Sequence, residues 1–427
     1  MIKESEYKSR RERLAKGLAS HSIAIIHSAN HKTRSNDTEY PYRQDSNFYY
    51  LTGFKEDDSC LMIVKKKKKC KTILFVVKKD TTKQLWTGKR LGEVKAKEVF
   101  LVDEVYTIDT LEEKFQENAQ NKQVLYFDFK LTYLKFKALK RFSKGINTHR
   151  NIAVNIEQMR LLKSKSEINL IKKALKITQK AHHKAIKFKK SKKNEYELQA
   201  KIENIFKKKG AYSDAYTSIV AGGNSANTLH YIANDKVLND GELILIDAGC
   251  EYEYYASDIT RTIPVSGVFT KSQKELYQMV LDVQIKIISM IRPGVLRSEL
   301  HTKSEELLCD GMIALGILKG KRKKLIKKKA HKKYYPHGIG HWMGIDVHDE
   351  APYKYTHGEE IPLQEGMILT IEPGIYCEEN DKSIPKKYRG IGIRIEDDIL
   401  VTNKGNENLS ANIIKEIADI ERLSLYQ

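Results

Sequence analysis

The spacing of two aspartates, Asp247 and Asp258, could place them together around a metal ion. They lie in the segments ELILIDAGC and ASDITRTIP, which predict two strands joined by a short connection. In a hairpin centred between Tyr252 and Glu253, they form a cross-strand pair on one face, with Cβ atoms about 5 Å apart. Two ionised carboxylates that close repel each other unless a cation lies between them. The spacing therefore predicts a metal site on this hairpin.

Three downstream motifs contain further candidate ligands. These are His337, His341 and His348 in HGIGHWMGIDVHD, Glu372 in the apolar strand LTIEPGIY, and Glu396 in the apolar strand GIGIRIEDDIL. Each one alone is weak evidence, because a histidine near glycine is often structural and a buried glutamate can pair with an arginine such as Arg394. Four carboxylates and one imidazole in apolar contexts are harder to explain as unrelated buried groups.

Together these residues predict a centre that binds two metal ions. The predicted ligands are Asp247, Asp258, His341, Glu372 and Glu396. The four carboxylates would balance the charge of two divalent cations. Ligation mainly by oxygen, with one nitrogen and no thiolate, favours a harder cation than structural zinc sites select. Mn²⁺ is therefore the expected metal, with Co²⁺, Fe²⁺ and Zn²⁺ as alternatives.

The elements that must position these residues divide into two parts. Apolar runs at 23–26, 61–64, 73–77 and 124–127 predict strands, with helical segments between them. The lysines 65–69 join two of these strands and predict a solvated hairpin turn. A long helical pattern begins near Met159, so the sequence predicts an α/β domain over residues 1–158 and a second, α+β domain over residues 159–427.

Helices and strands also alternate in the second part. Helices are predicted from Asn194 to a stop at Gly210, over about Lys271–Ile291 and over Ser298–Leu315. They separate the strand pair 242–265 from a strand group at 337–402, and both strand groups contain candidate ligands.

Composition favours a cytoplasmic enzyme. The net charge of +21 comes mostly from lysine, without an aromatic-interleaved arginine pattern or a nucleic-acid-binding motif, so no nucleic-acid partner is expected. The five cysteines are widely spaced and form no CxxC pair, which fits a reducing compartment. The charged N-terminus lacks a signal-peptide core, and no apolar run approaches the roughly 20 residues that span a bilayer.

The motifs resemble those of the pita-bread metallopeptidases, and among these the Xaa-Pro aminopeptidases, also called aminopeptidase P. The resemblance rests on LIDAGCEY, SDITRTIPVSG, HGIGHWMGIDVHD, LTIEPGIY and YRGIGIRIEDDIL in the C-terminal half. In the N-terminal half, NDTEYPYRQDSNFYYLTGF and LWTGKRLG resemble the family's creatinase-type domain. The resemblance covers nearly the whole chain and implies a creatinase-like α/β domain followed by a pita-bread catalytic domain.

The resemblance also implies roles for individual residues. Asp258 and Glu396 resemble the carboxylates that bridge the two metals, Asp247 a ligand of one metal, and His341 with Glu372 the ligands of the other. His230 and His348 resemble contacts to the substrate and the reaction intermediate. Glu372 is also the carboxylate that we expect to shuttle a proton to the departing nitrogen. The residues that resemble substrate-pocket groups are Tyr216, His337, Tyr376 and Arg394. Trp86 resembles a residue placed near a neighbouring subunit's site, which implies a homo-oligomer, a dimer or tetramer.

The expected activity is removal of an N-terminal residue that precedes proline, from peptides of the type Xaa-Pro-Yaa, by a hydroxide that bridges the metals. The closest alternative is a prolidase, which shares the fold and ligands but cleaves only Xaa-Pro dipeptides. A more distant alternative is a non-catalytic binding protein that uses its basic surface. Its best candidate patch is Lys319–Lys333, for which a solvated helix end or loop before a strand at His337 is the preferred interpretation.

Overall fold

The computed structural model describes residues 2–131 and 133–425. The first residue of the predicted N-terminal domain and the last residue of the predicted C-terminal domain lie outside the described residues. The chain divides into two units, one ending at Met159 and the other beginning at Arg160. No described helix is long and apolar enough to cross a membrane.

The N-terminal unit contains a mixed six-stranded sheet with helices. The strands of this unit are β1 (Ser22–His27), β2 (Thr33–Ser35), β3 (Thr38–Glu39), β4 (Cys60–Lys65), β5 (Cys70–Val76), β6 (Glu104–Thr107), β7 (Val124–Phe127) and β8 (Thr148–Asn151). Of these, β2 and β3 pair separately as a two-stranded sheet. Its helices are α1 (Glu4–Gly17), α2 (Ser46–Thr52), α3 (Thr81–Thr87), α4 (Gly92–Phe100), α5 (Leu111–Ala119) and α6 (Tyr133–Phe142), and α7 (Ile152–Arg160) contains the point of division. The sheet order is β6-β5-β4-β1-β7-β8.

The central strands of this sheet are the apolar runs predicted from the sequence. One apolar core receives buried side chains from β1, β4, β5 and β7. Polar residues at the ends of each apolar run mark where these strands stop. β4 and β5 pair antiparallel, and the Lys66 N–H donates to Lys69 O at 3.0 Å to close the turn. The lysine run is thus the hairpin turn that was predicted.

The C-terminal unit carries its strands in short sheets flanked by long helices. The helices are α8 (Lys165–Lys187), α9 (Glu195–Lys208), α10 (Lys271–Met290), α11 (Arg297–Ala314), α12 (Arg322–Lys327) and α13 (Ile417–Leu425). The strands are β9 (Ser213–Asp214), β10 (Ile219–Gly222), β11 (Leu243–Asp247), β12 (Cys250–Glu251), β13 (Thr260–Pro264), β14 (Ile368–Ile371), β15 (Gly374–Cys377), β16 (Ile391–Arg394), β17 (Asp397–Val401) and β18 (Asn406–Asn408). The sheets are β10-β11-β13, β9-β12, β14-β17-β18 and β15-β16.

Local sequence signals explain where the long helices begin and end. A capping box begins α8, in which Ser164 accepts from the Glu167 N–H and Glu167 accepts from the Ser164 N–H. Asn194 caps α9 in the same way, and Gly210, at φ +83°, follows its end in the left-handed conformation that glycine tolerates. These helices cover the strands that carry the candidate ligands.

The predicted strand at His337 is wrong, and the strand group begins at Ile368 instead. Residues 339–343 run beside β14, where Thr370 N–H donates to His341 O at 2.9 Å and Glu372 N–H to Ile339 O at 2.9 Å. Only one β-bridge forms there, between Trp342 and Leu369. Glycines at 338, 340 and 344 interrupt the segment and lower its strand propensity, so it stays irregular.

The predicted hairpin exists, but its register differs by one residue at the turn. Asp247 pairs with Thr260, not with Asp258, and the turn residues are Glu253 and Tyr254. Both adopt positive φ, 48° and 71°, as a two-residue type I′ turn requires. Moving the centre by one residue shifts the pairing by two, so Asp258 becomes a diagonal neighbour of Asp247 and stays on the same face.

Candidate metal centre

The sequence predicts that Glu372 and Glu396 lie inside strands. In the structure both lie in breaks between two strands. β14 pairs with β17 and β15 pairs with β16, and both pairings keep one register, from Ile371 opposite Asp397 to Gly374 opposite Arg394. Between these pairs the ladder is interrupted at Pro373, which has no N–H to donate, although the Ile395 N–H still donates to Pro373 O at 3.3 Å. The Glu372 N–H bonds to Ile339 O at 2.9 Å and the Glu396 N–H to Thr260 O at 3.1 Å, on the outer sides of the two strands. The common register places the two glutamates opposite each other at this opening.

A buried glutamine stabilises the opening from behind. The Gln284 side chain, on α10, donates to Ile371 O at 3.2 Å and to Ile395 O at 3.1 Å. Ile395 O faces Pro373, which has no N–H, so the Gln284 amide supplies the donor that the ladder lacks at this point.

Three predicted ligands already have the spacing of a metal site. Asp258, His341 and Glu396 each offer one ligand atom, and these atoms all lie within 4.8 Å of one another. His341 Nε2 lies 3.3 Å from Asp258 Oδ2 and 4.0 Å from Glu372 Oε1. His341 Nδ1 lies 3.1 Å from Trp342 O, which leaves Nε2 directed at the carboxylates.

Asp247 is held on the other side of the cluster by two neighbours. Tyr216 Oη donates to Asp247 Oδ1 at 2.6 Å, and Arg394 donates to Asp247 Oδ2 at 2.6 Å. Arg394 also donates to Thr260 Oγ1 at 3.1 Å and to Tyr376 Oη at 3.0 Å. One guanidinium thus fixes the position of a candidate ligand and of a pocket tyrosine together.

His337 and Tyr376 extend this network toward Glu372. His337 Nε2 lies 2.8 Å from Tyr376 Oη, and its Nδ1 lies 3.7 Å from Glu372 Oε2. Burial, with a smaller effect of Arg394, lowers the pKa of His337 to about 3, so it is neutral at physiological pH. The four residues predicted to line the substrate pocket, Tyr216, His337, Tyr376 and Arg394, therefore form one hydrogen-bonded group with the ligands.

Two supporting residues were missed by the sequence prediction. Thr260 Oγ1 donates to Glu396 Oε2 at 2.7 Å, and the Asp258 N–H donates to Asp398 Oδ2 at 3.1 Å. Both are fully buried. Their positions in SDITRT and IEDD, two residues from predicted ligands, are the signal that could have identified them.

Burial of several carboxylates in one cluster dominates the electrostatics. Burial raises the pKa of Glu372 to about 7, and burial together with Asp258 holds the pKa of Glu396 well above its usual range. Burial also raises the pKa of Asp247, although Arg394 opposes the shift. Burial alone would lower the pKa of His341, but the adjacent Asp258 raises it to about 9. The cluster thus takes up protons where no cation compensates its charge.

These groups open into a cavity of about 300 Å³. The predicted site residues that line it are Tyr216, His230, Asp247, Asp258, His337, His341, His348, Glu372, Arg394 and Glu396. Apolar side chains, among them Leu229 and Val347, form another part of the lining. Trp86 lies in α3 of the N-terminal unit with 87% of its surface exposed, and it is not among the described lining residues.

The donor set fits divalent cations. Four carboxylates and one imidazole converge on the cavity, and burial raises the pKa of Glu372 and Glu396, so their ionised forms need a counter-charge. Oxygen donors with a single nitrogen suit cations such as Mn²⁺ or Zn²⁺. Asp247, Asp258, His341, Glu372 and Glu396 are therefore the residues that would hold them.

Comparisons with known proteins agree with this chemistry. Residues 169–403 match the model of metallopeptidase family M24, and residues 7–126 match the aminopeptidase P N-terminal domain. The Xaa-Pro aminopeptidase of Haemophilus influenzae is 39% identical over 422 residues, covering 99% of this chain and 97% of that protein. These matches confirm the predicted order of a creatinase-like domain and a pita-bread domain.

Solved structures match over the whole chain as well. Proline aminopeptidase P II from Yersinia pestis superposes with a TM-score of 0.96 at 39% identity, covering 100% of both chains. Zinc-substituted Escherichia coli aminopeptidase P in complex with product superposes with a TM-score of 0.96 at 37% identity, covering 100% of this chain and 99% of that chain.

Proposed function

The chain belongs to metallopeptidase family M24, and from this we propose how its residues act in a metal-dependent Xaa-Pro aminopeptidase. It is an enzyme that hydrolyses the bond between an N-terminal residue and a following proline. The convergence of Asp247, Asp258, His341, Glu372 and Glu396 on one cavity carries the proposal. We assign these five residues as those that would hold two divalent ions, to both of which Asp258 and Glu396 would contribute.

The bound ions would lower the pKa of a water molecule and polarise the scissile carbonyl. Glu372 is a carboxylate in the cavity wall beside the other ligands, and it would take a proton from the attacking water. It would deliver that proton to the nitrogen of the departing proline, which lacks an N–H of its own. His348, at the cavity wall, would donate to the oxyanion that develops on the carbonyl.

The remaining groups would select and orient the peptide. The network of Arg394, Tyr376 and His337 holds Glu372 and Asp247 in place, so the reacting groups need little rearrangement. His230 lines the same cavity and would contact the substrate backbone. The free N-terminal amine of the peptide would lie beside the carboxylates, which restricts cleavage to chain ends.

The names of the relatives favour the aminopeptidase over the prolidase alternative. A peptide panel tests this choice: an Xaa-Pro-Yaa tripeptide, an Xaa-Pro dipeptide and an Xaa-Ala-Yaa control, each with Mn²⁺, Co²⁺, Zn²⁺ or a chelator. The tripeptide should be cleaved only with metal, and the alanine control should be resistant. Cleavage of the dipeptide alone would identify a prolidase.

We propose Mn²⁺ as the metal in the cell, because hard oxygen donors outnumber nitrogen donors in the cluster. We further propose a cytoplasmic location, which the five widely spaced cysteines support. A homo-oligomer is supported by α3, where Leu85 and Trp86 expose 84% and 87% of their surface. Apolar side chains so exposed are suited to burial against a second copy of the chain.

A further inference from the structure

The loop from His341 to His348 connects a proposed metal ligand to the proposed oxyanion donor. The two imidazole rings pack edge to face, with centroids 4.2 Å apart. The Asp349 N–H donates to Trp342 O at 2.9 Å and closes the loop at its base. The loop therefore returns the chain to the cavity, so that both histidines line it.

The His348 side chain has few restraints of its own. Among the described residues it forms the ring contact with His341 and no hydrogen bond, and it is exposed and lines the cavity. An imidazole held so loosely takes its position from the backbone that carries it. The next residue in the chain, Asp349, is the point at which that backbone is anchored.

Asp349 lies in a buried ion cluster on the far side of the loop. Arg160 lies 2.6 Å from Asp349 Oδ1, and Lys163 Nζ lies 3.1 Å from Asp349 Oδ2. These three side chains expose only 1–2% of their surface. Arg160 also pairs at 2.6 Å with Asp346, whose side chain is 29% exposed. Both oxygens of Asp349 are thus paired with cations from another part of the chain.

Stability alone is a poor explanation for this cluster, because burying ions costs about as much free energy as their attraction returns. The packing around the carboxylate is also tight. A Cβ at Gly344 would lie 2.7 Å from Asp349 Oδ2 and 2.8 Å from Lys163 Cε. The cluster therefore holds one carboxylate in one place, directly beside His348.

We infer that Asp349 is the positioning residue for His348, and that Arg160 and Lys163 anchor it so that the imidazole points into the cavity. The inference rests on the oxyanion role proposed for His348. Residues that orient catalytic groups typically contribute about 10- to 100-fold to activity when they are changed. A donor needed mainly in the transition state affects kcat more than KM.

The main test is Asp349→Asn, with the steady-state kinetics of an Xaa-Pro-Yaa peptide, the bound metal and the melting temperature measured on each protein. Asn keeps the side-chain shape but leaves Lys163 unpaired, which could unfold the protein. The double variant Lys163→Met/Asp349→Asn removes both charges and leaves the Arg160–Asp346 pair intact. We expect kcat of the double variant to fall about 10- to 100-fold, with two metals retained and KM changed by less than about threefold.

Gly344→Ala provides an independent perturbation, because it displaces the Asp349 carboxylate without removing it. It should lower kcat in the wild-type background and have little further effect in the double variant, since both changes release the same anchor. Asp346→Asn is the matched control: it removes the partly exposed partner of Arg160 and should leave kcat within about twofold.

His348→Ala separates failure of the inference from failure of the proposed function. If His348→Ala keeps full kcat, the oxyanion role is wrong. If His348→Ala loses kcat while the folded double variant keeps it, the positioning role of Asp349 is wrong. A fall in kcat that is explained by lost metal in the double variant would also overturn it.

Discussion

Glu372 and Glu396 lie directly opposite each other where two antiparallel strand pairs with one common register open between Ile371 and Gly374. Their N–H groups bond to Ile339 and Thr260 instead of to each other's strand. The backbone thus delivers two buried carboxylates to the same point. This arrangement needs a partner for the carbonyls beside the break and a counter-charge for the carboxylates, and both needs lead to predictions.

The first prediction concerns Gln284, whose side chain pairs with the carbonyls of Ile371 and Ile395. Gln284→Leu should lower the free energy of unfolding by about 1–3 kcal/mol, because it removes a donor from two buried carbonyls, one of which, Ile395 O, faces Pro373 and has no ladder donor. It should also weaken metal binding, which equilibrium dialysis measures. Gln278→Leu, at an exposed position of the same helix, is the control and should change stability by less than about 0.5 kcal/mol.

The second prediction concerns the charge of the cluster. In excess chelator, Asp258→Asn should melt at the same temperature as the wild type or higher, because it removes one repelling carboxylate. With Mn²⁺ the order should reverse, since the wild type gains RT ln(1 + [L]/Kd), or about 2.7 kcal/mol at a hundredfold excess over Kd. Equal metal-induced shifts in the two proteins would show that Asp258 is not a ligand.

The third prediction is the pH dependence of the metal-free protein. The pKa values of Asp247, Glu372 and Glu396 are raised by burial, that of Glu372 to about 7, and Asp258 raises that of His341 to about 9. A group with a raised pKa stabilises the fold at low pH, and this contribution is lost as pH rises through its folded pKa. The melting temperature measured in chelator should therefore fall as the pH rises from about 5 to about 9.

Added metal should invert this trend, because its ligands must lose their protons to bind. The shift in melting temperature caused by Mn²⁺ should grow across the same pH range. A metal-free protein whose stability rises with pH would show that the cluster is not crowded in the way described.

The fourth prediction concerns Arg394, which bonds to Asp247, Thr260 and Tyr376 at once. Arg394→Lys keeps the charge but cannot reach three partners in one plane, so kcat/KM should fall about 10- to 100-fold. Arg422→Lys, at an exposed position of α13, should retain full activity. Activity of Arg394→Lys near that of the wild type would mean that only the charge of Arg394 matters.

The fifth prediction concerns oligomer formation through α3. Light scattering of the wild type should give a multiple of the monomer mass, and Trp86→Ser should shift the equilibrium toward the monomer, because it removes an exposed apolar side chain from the interface. Leu162→Ser, which changes another exposed apolar residue, is the control for general effects on solubility. A monomeric wild type at working concentration would contradict the proposal.

Much of this molecule could be predicted from short stretches of sequence. The strands at 61–64 and 124–127 and the helix from Asn194 to Gly210 were placed correctly, because periodicity, caps and turn residues act between neighbours in the chain. Asp247 and Asp258 were correctly predicted to share one face of the hairpin, although the turn position was wrong by one residue. That error moves the pairing by two residues, and side chains return to the same face every two residues. The five proposed metal ligands were identified from the types and contexts of their side chains, whereas Tyr216 and His230 were named only from the family resemblance.

Tertiary structure alone decided how those residues are held. The sequence around His337 contains enough apolar residues to predict a strand, yet the segment is irregular, and backbone bonds from Thr370 and Glu372 hold it beside β14. Arg160 and Lys163 meet Asp349 across 189 and 186 residues of chain, and Gln284 reaches carbonyls 87 and 111 residues away. Such contacts depend on how distant segments pack, and no local propensity or periodicity encodes that packing.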